Sequence, residues 1–185
     1  MIVFVPAFVR LGSCSALLET GVYCAAFLHM AFGDAPPEAV AGANSLLDAS
    51  SGLDSHTAAL LRFPGGGVGT LDCSLRHPSP RDATVCGTKG VLRVSYPFWC
   101  PTRFTLQSMG GTGSQAFGPE KAFAFELPTV DDGLGDFNFV NSEGLAYEAG
   151  EVNRCLRAGL LESPTFGAGA CQAVMDTLTA ISAAI

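Results

Sequence analysis

Two side chains with proton-transfer chemistry, Glu19 and Tyr23, stand four residues apart in a run that is otherwise almost wholly apolar, Ala16 to Phe32. With few polar side chains and no proline, that run predicts a mostly buried helix. Residues i and i+4 of a helix lie one above the other on the same face. A carboxyl and a phenol side by side on a core helix are costly unless something uses them. The Tyr23 phenol is a candidate general acid or base, with Glu19 to orient it or a substrate hydroxyl. The same residues also fit a plainer arrangement: Glu19 reaches solvent near the helix start, where the dipole favours a carboxylate, and Tyr23 is core.

A second candidate is Trp99, the single tryptophan, in Pro97-Phe98-Trp99-Cys100-Pro101. A ring presented rigidly at a strand end can floor an apolar substrate pocket, or it can anchor its own loop on the sheet. His29, His56 and His77 are scattered, without a spaced carboxylate or thiolate set, so no metal site is assigned. Asp131, Asp132 and Asp136 read as a solvated acidic turn, since no companion ligands recur at loop spacing. No Gly-x-Ser-x-Gly elbow occurs.

The elements that must carry these residues change period along the chain. Residues 1–12 read as an extended lead-in, and Gly33 to Pro37 stops the first helix. Strands are expected over 38–47, 55–63, 68–76, 82–86, 91–96, 102–107 and 122–127, with alternating faces such as Phe104 and Leu106 against Arg103, Thr105 and Gln107. Gly65-Gly66-Gly67-Val68-Gly69 lies between two of these strands and reads as a hairpin turn, as does Gly87-Thr88-Lys89-Gly90. Nowhere does a Gly-x-Gly-x-x-Gly follow a strand and open a helix, so no cofactor-binding residue is assigned. From Ser142 the spacing becomes helical: Leu145, Ala149, Val152 and Leu156 form one stripe, then Cys171, Val174, Leu178, Ile181 and Ile185 another. Strands flanked by helices make an α+β fold, a largely antiparallel open-faced sheet with helices packed on one face.

Composition narrows the class. With 48% hydrophobic and 15% charged residues the chain is globular. Its net charge of −7 and ten scattered Lys and Arg argue against nucleic acid. The apolar opening Met1 to Val9 has no positive residue before it and is too short to span a bilayer, so no membrane partner is expected. Seven cysteines, none in a Cys-x-x-Cys pair, read as buried reduced thiols of a cytoplasmic protein.

The stretch Ser13 to Tyr23 resembles the Gly-Gly-Gly-Ala-Leu-Leu-Asp-Ile-Gly-Val-Tyr segment of the glucose-fructose oxidoreductase / inositol dehydrogenase / MocA family, and within it the dimeric dihydrodiol dehydrogenase (D-xylose dehydrogenase) branch. Supporting segments are Gly87 to Gly90, Phe98 to Thr102, and Tyr147 through Gly159 to Pro164, in order and at matching spacing. Ser13, Cys14 and Ser15 stand at the three glycines, and Glu19 where Asp is usual. The resemblance implies that Tyr23 is the proton donor and acceptor, Glu19 its acidic neighbour, and Trp99 and Phe139 rings lining the substrate site. It implies a substrate-binding and dimerisation domain over 13–185, with 1–12 a remnant of a lead-in and the Rossmann domain absent from this chain. NADP would then bind only with that missing domain, the chain alone would be inactive, and subunits would meet as a homodimer through the open sheet face. The reaction implied is hydride transfer between NADP and a hydroxyl-bearing carbon of a small ring or sugar. The alternative is a cofactor-less truncated paralogue acting only as a sheet-mediated association module.

Overall fold

The computed structural model describes residues 14–33, 35–110, 117–129, 137 and 139–185. A π-helical turn, Leu17–Gly21, runs directly into helix α1, Val22–Phe32. The helix stops at Gly33, whose φ of 78° is a left-handed cap that costs glycine nothing, its N–H bonding the carbonyl of His29.

Strands β1 (Ala39–Leu47), β2 (Asp54–Phe63) and β3 (Gly67–Ser74) form one antiparallel sheet in that order. A second contains β4 (Ala83–Gly87), β5 (Gly90–Val94), β6 (Arg103–Met109) and β7 (Phe117–Ala124), again in order. Each strand lies near its expected place, but the described residues form two hydrogen-bonded sheets where one was expected. The break falls in the connection after β3, where Pro78 and Pro80 lack the N–H a ladder needs. Strand β7 starts at Phe117, ahead of the expected Ala122. Its register pairs Phe117 with Met109 and Ala124 with Arg103, so pairing runs out where β6 begins.

The first sheet is two-sided, as its period of two dictates. Thr57, Ala59, Leu61 and Phe63 of β2 are buried, while Ala58, Leu60 and Arg62 face outward. In β3, Gly69, Leu71 and Cys73 are buried. Ser74, next in the strand, is buried as well, its Oγ accepting the N–H of Arg76 at 3.1 Å.

Helix α1 lies on the inner face, and its fit depends on two glycines that the sequence presents only as a hairpin. A Cβ on Gly69 would fall 2.6 Å from Cδ2 of Leu28, and one on Gly67 would fall 2.5 Å from Cε1 of Phe32. Into the space so gained Phe63 stacks on Phe32, centroids 4.1 Å apart, with the His29 ring edge-on at 6.2 Å. Helix α3, Ala168–Ser182, covers the helix from its other side with Val174, Leu178 and Ile181 buried. There the Thr177 hydroxyl donates to the carbonyl of Ala173 at 2.9 Å, so at 2.8 Å it must accept from Nε2–H of His29.

Helix α2, Leu145–Arg157, forms where its periodicity predicts, yet its apolar stripe is uncovered among the described residues: Leu145 and Leu156 are 66% and 69% exposed, and only Cys155 of the helix is buried. On its polar flank Arg154 donates to Glu151 through Nε and NH2 at 2.7 and 2.8 Å, and the Ser163 hydroxyl donates to the same carboxylate. The Arg154 hydrogen bonds, then that of Ser163, hold Glu151 down from an ordinary 4.5 to about 2. None of the described helices is long and apolar enough to cross a membrane.

Replacing Phe63 with Ala should remove about 3–5 kcal/mol of stability, read from urea unfolding. The lowered Glu151 carboxyl contributes stability that is present above pH 4.5 and lost as pH falls toward 2. Thermal melts across that interval should therefore show the gap between wild type and Glu151→Gln closing as acid is added.

Candidate functional site

The first turn of the helix is held from the sheet. Oδ2 of Asp54, at the start of β2, accepts the N–H of Leu17 at 2.8 Å and the Thr57 hydroxyl at 2.9 Å, and Thr57 in turn meets Ser45 of β1 at 2.6 Å. Ser15 Oγ accepts the N–H of Leu18 at 3.1 Å. Two of the free N–H groups of a helix start are thus satisfied by side chains. Thr20 is buried and donates to the carbonyl of Ala16, which locks the π turn against the core.

Glu19 lies in this turn and Tyr23 at the start of α1, both on the solvent side; Tyr23 is 48% exposed. Of the two arrangements compatible with the sequence, Glu19 does reach solvent, but Tyr23 is not core. The expectation of a carboxyl and a phenol inside a core helix is corrected: the helix is buried along Leu17, Thr20, Cys24, Phe27 and Leu28, and the two polar residues occupy its opposite side. Neither side chain has a hydrogen-bond partner among the described residues, which leaves both open to a ligand.

Trp99 lies in the connection between β5 and β6, after a cis Tyr96–Pro97 bond. Its neighbour Phe98 is buried and packs edge-on against Phe27 of α1, centroids 5.8 Å apart. Phe27 is one helical turn beyond Tyr23, so this contact ties the Trp99 connection to the helix that carries the phenol. Trp99 itself is half-buried, edge-on to both Phe98 and Tyr96 at 5.7 and 6.0 Å. It therefore anchors its loop and keeps part of its ring free.

Phe139 is 77% exposed in the turn before α2. That turn is fastened to the Trp99 connection: Asn141 Nδ2 donates to the carbonyl of Cys100 at 2.8 Å, and Gly144 packs so closely on the Cys100 thiol that no Cβ would fit. Two contacts, Phe27–Phe98 and Asn141–Cys100, thus join the segments carrying Glu19, Tyr23, Trp99 and Phe139. Sequence reasoning missed Arg81, whose guanidinium lies over Tyr96, 4.4 Å from the ring centroid. Its only local signal is an arginine directly after Pro78-Ser79-Pro80.

Other candidates resolve differently. His56 and His77, expected to be scattered, meet on the outer side of the first sheet: His56 Nε2 is 3.0 Å from Asp72 and its Nδ1 is 3.4 Å from His77. Among the described residues no group of three or more His, Cys, Asp or Glu is arranged to hold a metal. The acidic turn at Asp131, Asp132 and Asp136 lies outside the described residues. Of the seven cysteines only Cys24, Cys73 and Cys155 are buried; Cys86 and Cys171 are exposed, which corrects the expectation of buried thiols. Burial pushes the Cys73 thiol up to about 12, far from nucleophilic use. A shallow concavity of about 490 Å³ lies on the outer face of the first sheet, bordered by Gly42, Asn44, Ala58, Leu60, Thr70 and Asp72.

Two antiparallel sheets, the first backed by helices α1 and α3, define an α+β domain with a tyrosine on the solvent side of its first helix. A family model described as the GFO/IDH/MocA C-terminal domain matches residues 9–93, and the resemblance to that family read from the sequence is borne out. Trans-1,2-dihydrobenzene-1,2-diol dehydrogenase of Oryctolagus cuniculus is 32% identical over 169 residues, covering 91% of this chain and 46% of its own. The Homo sapiens enzyme is 34% identical over 170 residues, with coverage of 92% and 46%. The chain thus spans about half the length of the curated relatives it matches. Among solved structures, a 3-ketoreductase from Actinomadura kijaniata in complex with NADP and TDP-benzene aligns with a TM-score of 0.68 at 13% identity, over 99% of this chain and 52% of that one. A levoglucosan dehydrogenase in complex with NADH aligns at 0.65 and 15% identity, over 99% and 54%. At those identities the likeness speaks for the fold.

Asp54→Ala, which frees the N–H of Leu17, should cost about 1 kcal/mol and should speed amide exchange in the turn that carries Glu19 more than in the core of α1.

Proposed function

We propose that residues 13–185 form the substrate-binding and dimerisation domain of a cytoplasmic NAD(P)-dependent oxidoreductase, with residues 1–12 leading in from a cofactor-binding domain. The observation that carries this reading is the solvent-side Tyr23, on a helix fastened through Phe27 and Phe98 to Trp99. The relatives, dihydrodiol dehydrogenases by name, support it. The whole enzyme's reaction in this reading is hydride transfer between NADP and a hydroxyl-bearing carbon of a small ring or sugar.

The described residues do not fit the dinucleotide. The glycine run over 65–67 turns between β2 and β3, Gly65 and Gly66 taking φ of 77° and 82°, and opens no helix that could receive a pyrophosphate. In this reading NADP belongs to a domain outside these residues. This chain's own share is the proton and the substrate's shape. Tyr23 Oη takes the proton of the substrate hydroxyl in oxidation and returns it in reduction. Glu19, on the same side of the helix, orients the phenol or the substrate hydroxyl. Trp99 and Phe139 offer ring faces on which an apolar or sugar ring packs.

A second reading, of a sheet-mediated association module, is favoured by the outer face of the first sheet, where Leu46, Leu60 and Val68 are all exposed. Two such faces brought together would remove apolar surface from water and give an isologous homodimer.

The purified 185-residue chain should produce no NADPH from NADP and a diol; measurable NADPH would refute the assignment of the cofactor to another domain. In a chain that also carries a dinucleotide-binding half, Tyr23→Phe should lower kcat by about 10²-fold or more with KM little changed. Light scattering at micromolar concentration should give a dimer that Leu60→Asp converts to monomer; a wild-type monomer would remove the association reading.

A further inference from the structure

Arg81 combines three features that are individually unfavourable. Its backbone has a φ of 57°, in the left-handed region that a non-glycine residue rarely occupies. Its Nε is fully buried and has no hydrogen-bond acceptor among the described residues. Its guanidinium forms no ion pair among the described residues, although acidic residues outnumber basic ones 17 to 10 and Asp82 is next in the chain. The Tyr96 ring beneath does not satisfy it. A ring face attracts the positive charge but offers no oxygen acceptor to the guanidinium N–H donors.

The same residue is fastened to the site. The carbonyl of Arg81 accepts the N–H of Phe98 at 3.1 Å, and Tyr96, on which the guanidinium lies, stands edge-on to Trp99 at 6.0 Å. A continuous run of contacts thus leads from Phe27 through Phe98 and Trp99 to Tyr96 and Arg81. A guanidinium held over an aromatic ring, with no acid partner among the described residues, is suited to a carboxylate carried by a ring that lies on the neighbouring floor.

We propose that Arg81 is a specificity-determining residue that selects ligands bearing a carboxylate on a hydroxylated ring, a sugar acid being the simplest case. The proposal deepens the reading of Trp99 as a substrate floor and rests on it. Stacking on Tyr96 keeps the guanidinium in one orientation before any ligand arrives, so less side-chain entropy is lost on binding.

Trp99 is the only tryptophan, and its fluorescence in the 185-residue chain reports on this cluster directly. Glucuronate and its neutral isostere glucuronamide are titrated side by side. Wild type should respond to glucuronate at about tenfold lower concentration than to the amide, and added salt should shrink that preference. Arg81→Gln should abolish the preference while leaving the response to the amide in place, and Arg81→Lys should keep part of it. Equal responses to acid and amide in wild type overturn the role of Arg81 while leaving Trp99 as a ring floor. A preference that survives in Arg81→Gln overturns it as well. No response to either compound overturns both. Because the wild-type comparison and its salt dependence stand alone, the test holds even if Arg81→Gln fails to fold.

Discussion

The close seating of α1 on β2 and β3 governs the remaining geometry. Two missing Cβ atoms, at Gly67 and Gly69, let Leu28 and Phe32 approach the strand backbone, and Phe63 then fills the space between helix and sheet. Asp54 fixes the front of the helical segment from β2, and Gly33 ends it. A segment clamped along its length in this way has one rotational setting. Burying Leu17, Thr20, Cys24 and Leu28 obliges Glu19 and Tyr23 to face the other way. The chemistry-bearing side is thus a by-product of packing, and the polar pair escapes the desolvation cost it would meet inside the core.

From this clamp the site extends along aromatic contacts. Phe27 meets Phe98, Phe98 meets Trp99, Trp99 meets Tyr96, and Arg81 lies on Tyr96. The inner end of this line is buried and rigid, and its outer end is open. Asn141 joins the Phe139 turn to it by a single side-chain hydrogen bond to Cys100. Phe139 and the α2 stripe of Leu145, Val152 and Leu156 remain exposed beside a well-packed core.

Much of this was legible from residue order. Period-two alternation located the strands, and 3–4 spacing located α2 and the Val174, Leu178 and Ile181 stripe of α3. The segment around Glu19 and Tyr23 pointed to the family on residue identity alone. What stayed hidden depends on pairing between distant residues. The division into two sheets follows from Pro78 and Pro80, and the early start of β7 from its register on β6. Gly67 and Gly69 read as turn residues because their second use, admitting a helix, requires knowing which helix lies above. His56 and His77 looked scattered because 21 positions separate them along the chain, while the strand and its following turn bring them together.

Sequence by itself determined the alternation of elements, the α+β class and the identity of the phenol and carboxyl, since hydrophobic period and local turn chemistry act within a few residues. Tertiary structure alone decided which side of the first helix is wet, which rings form the line to Trp99, and that Arg81 has no acid partner among the described residues. Those facts depend on contacts between residues tens of positions apart, and such contacts exist only once the helix has settled onto the sheet.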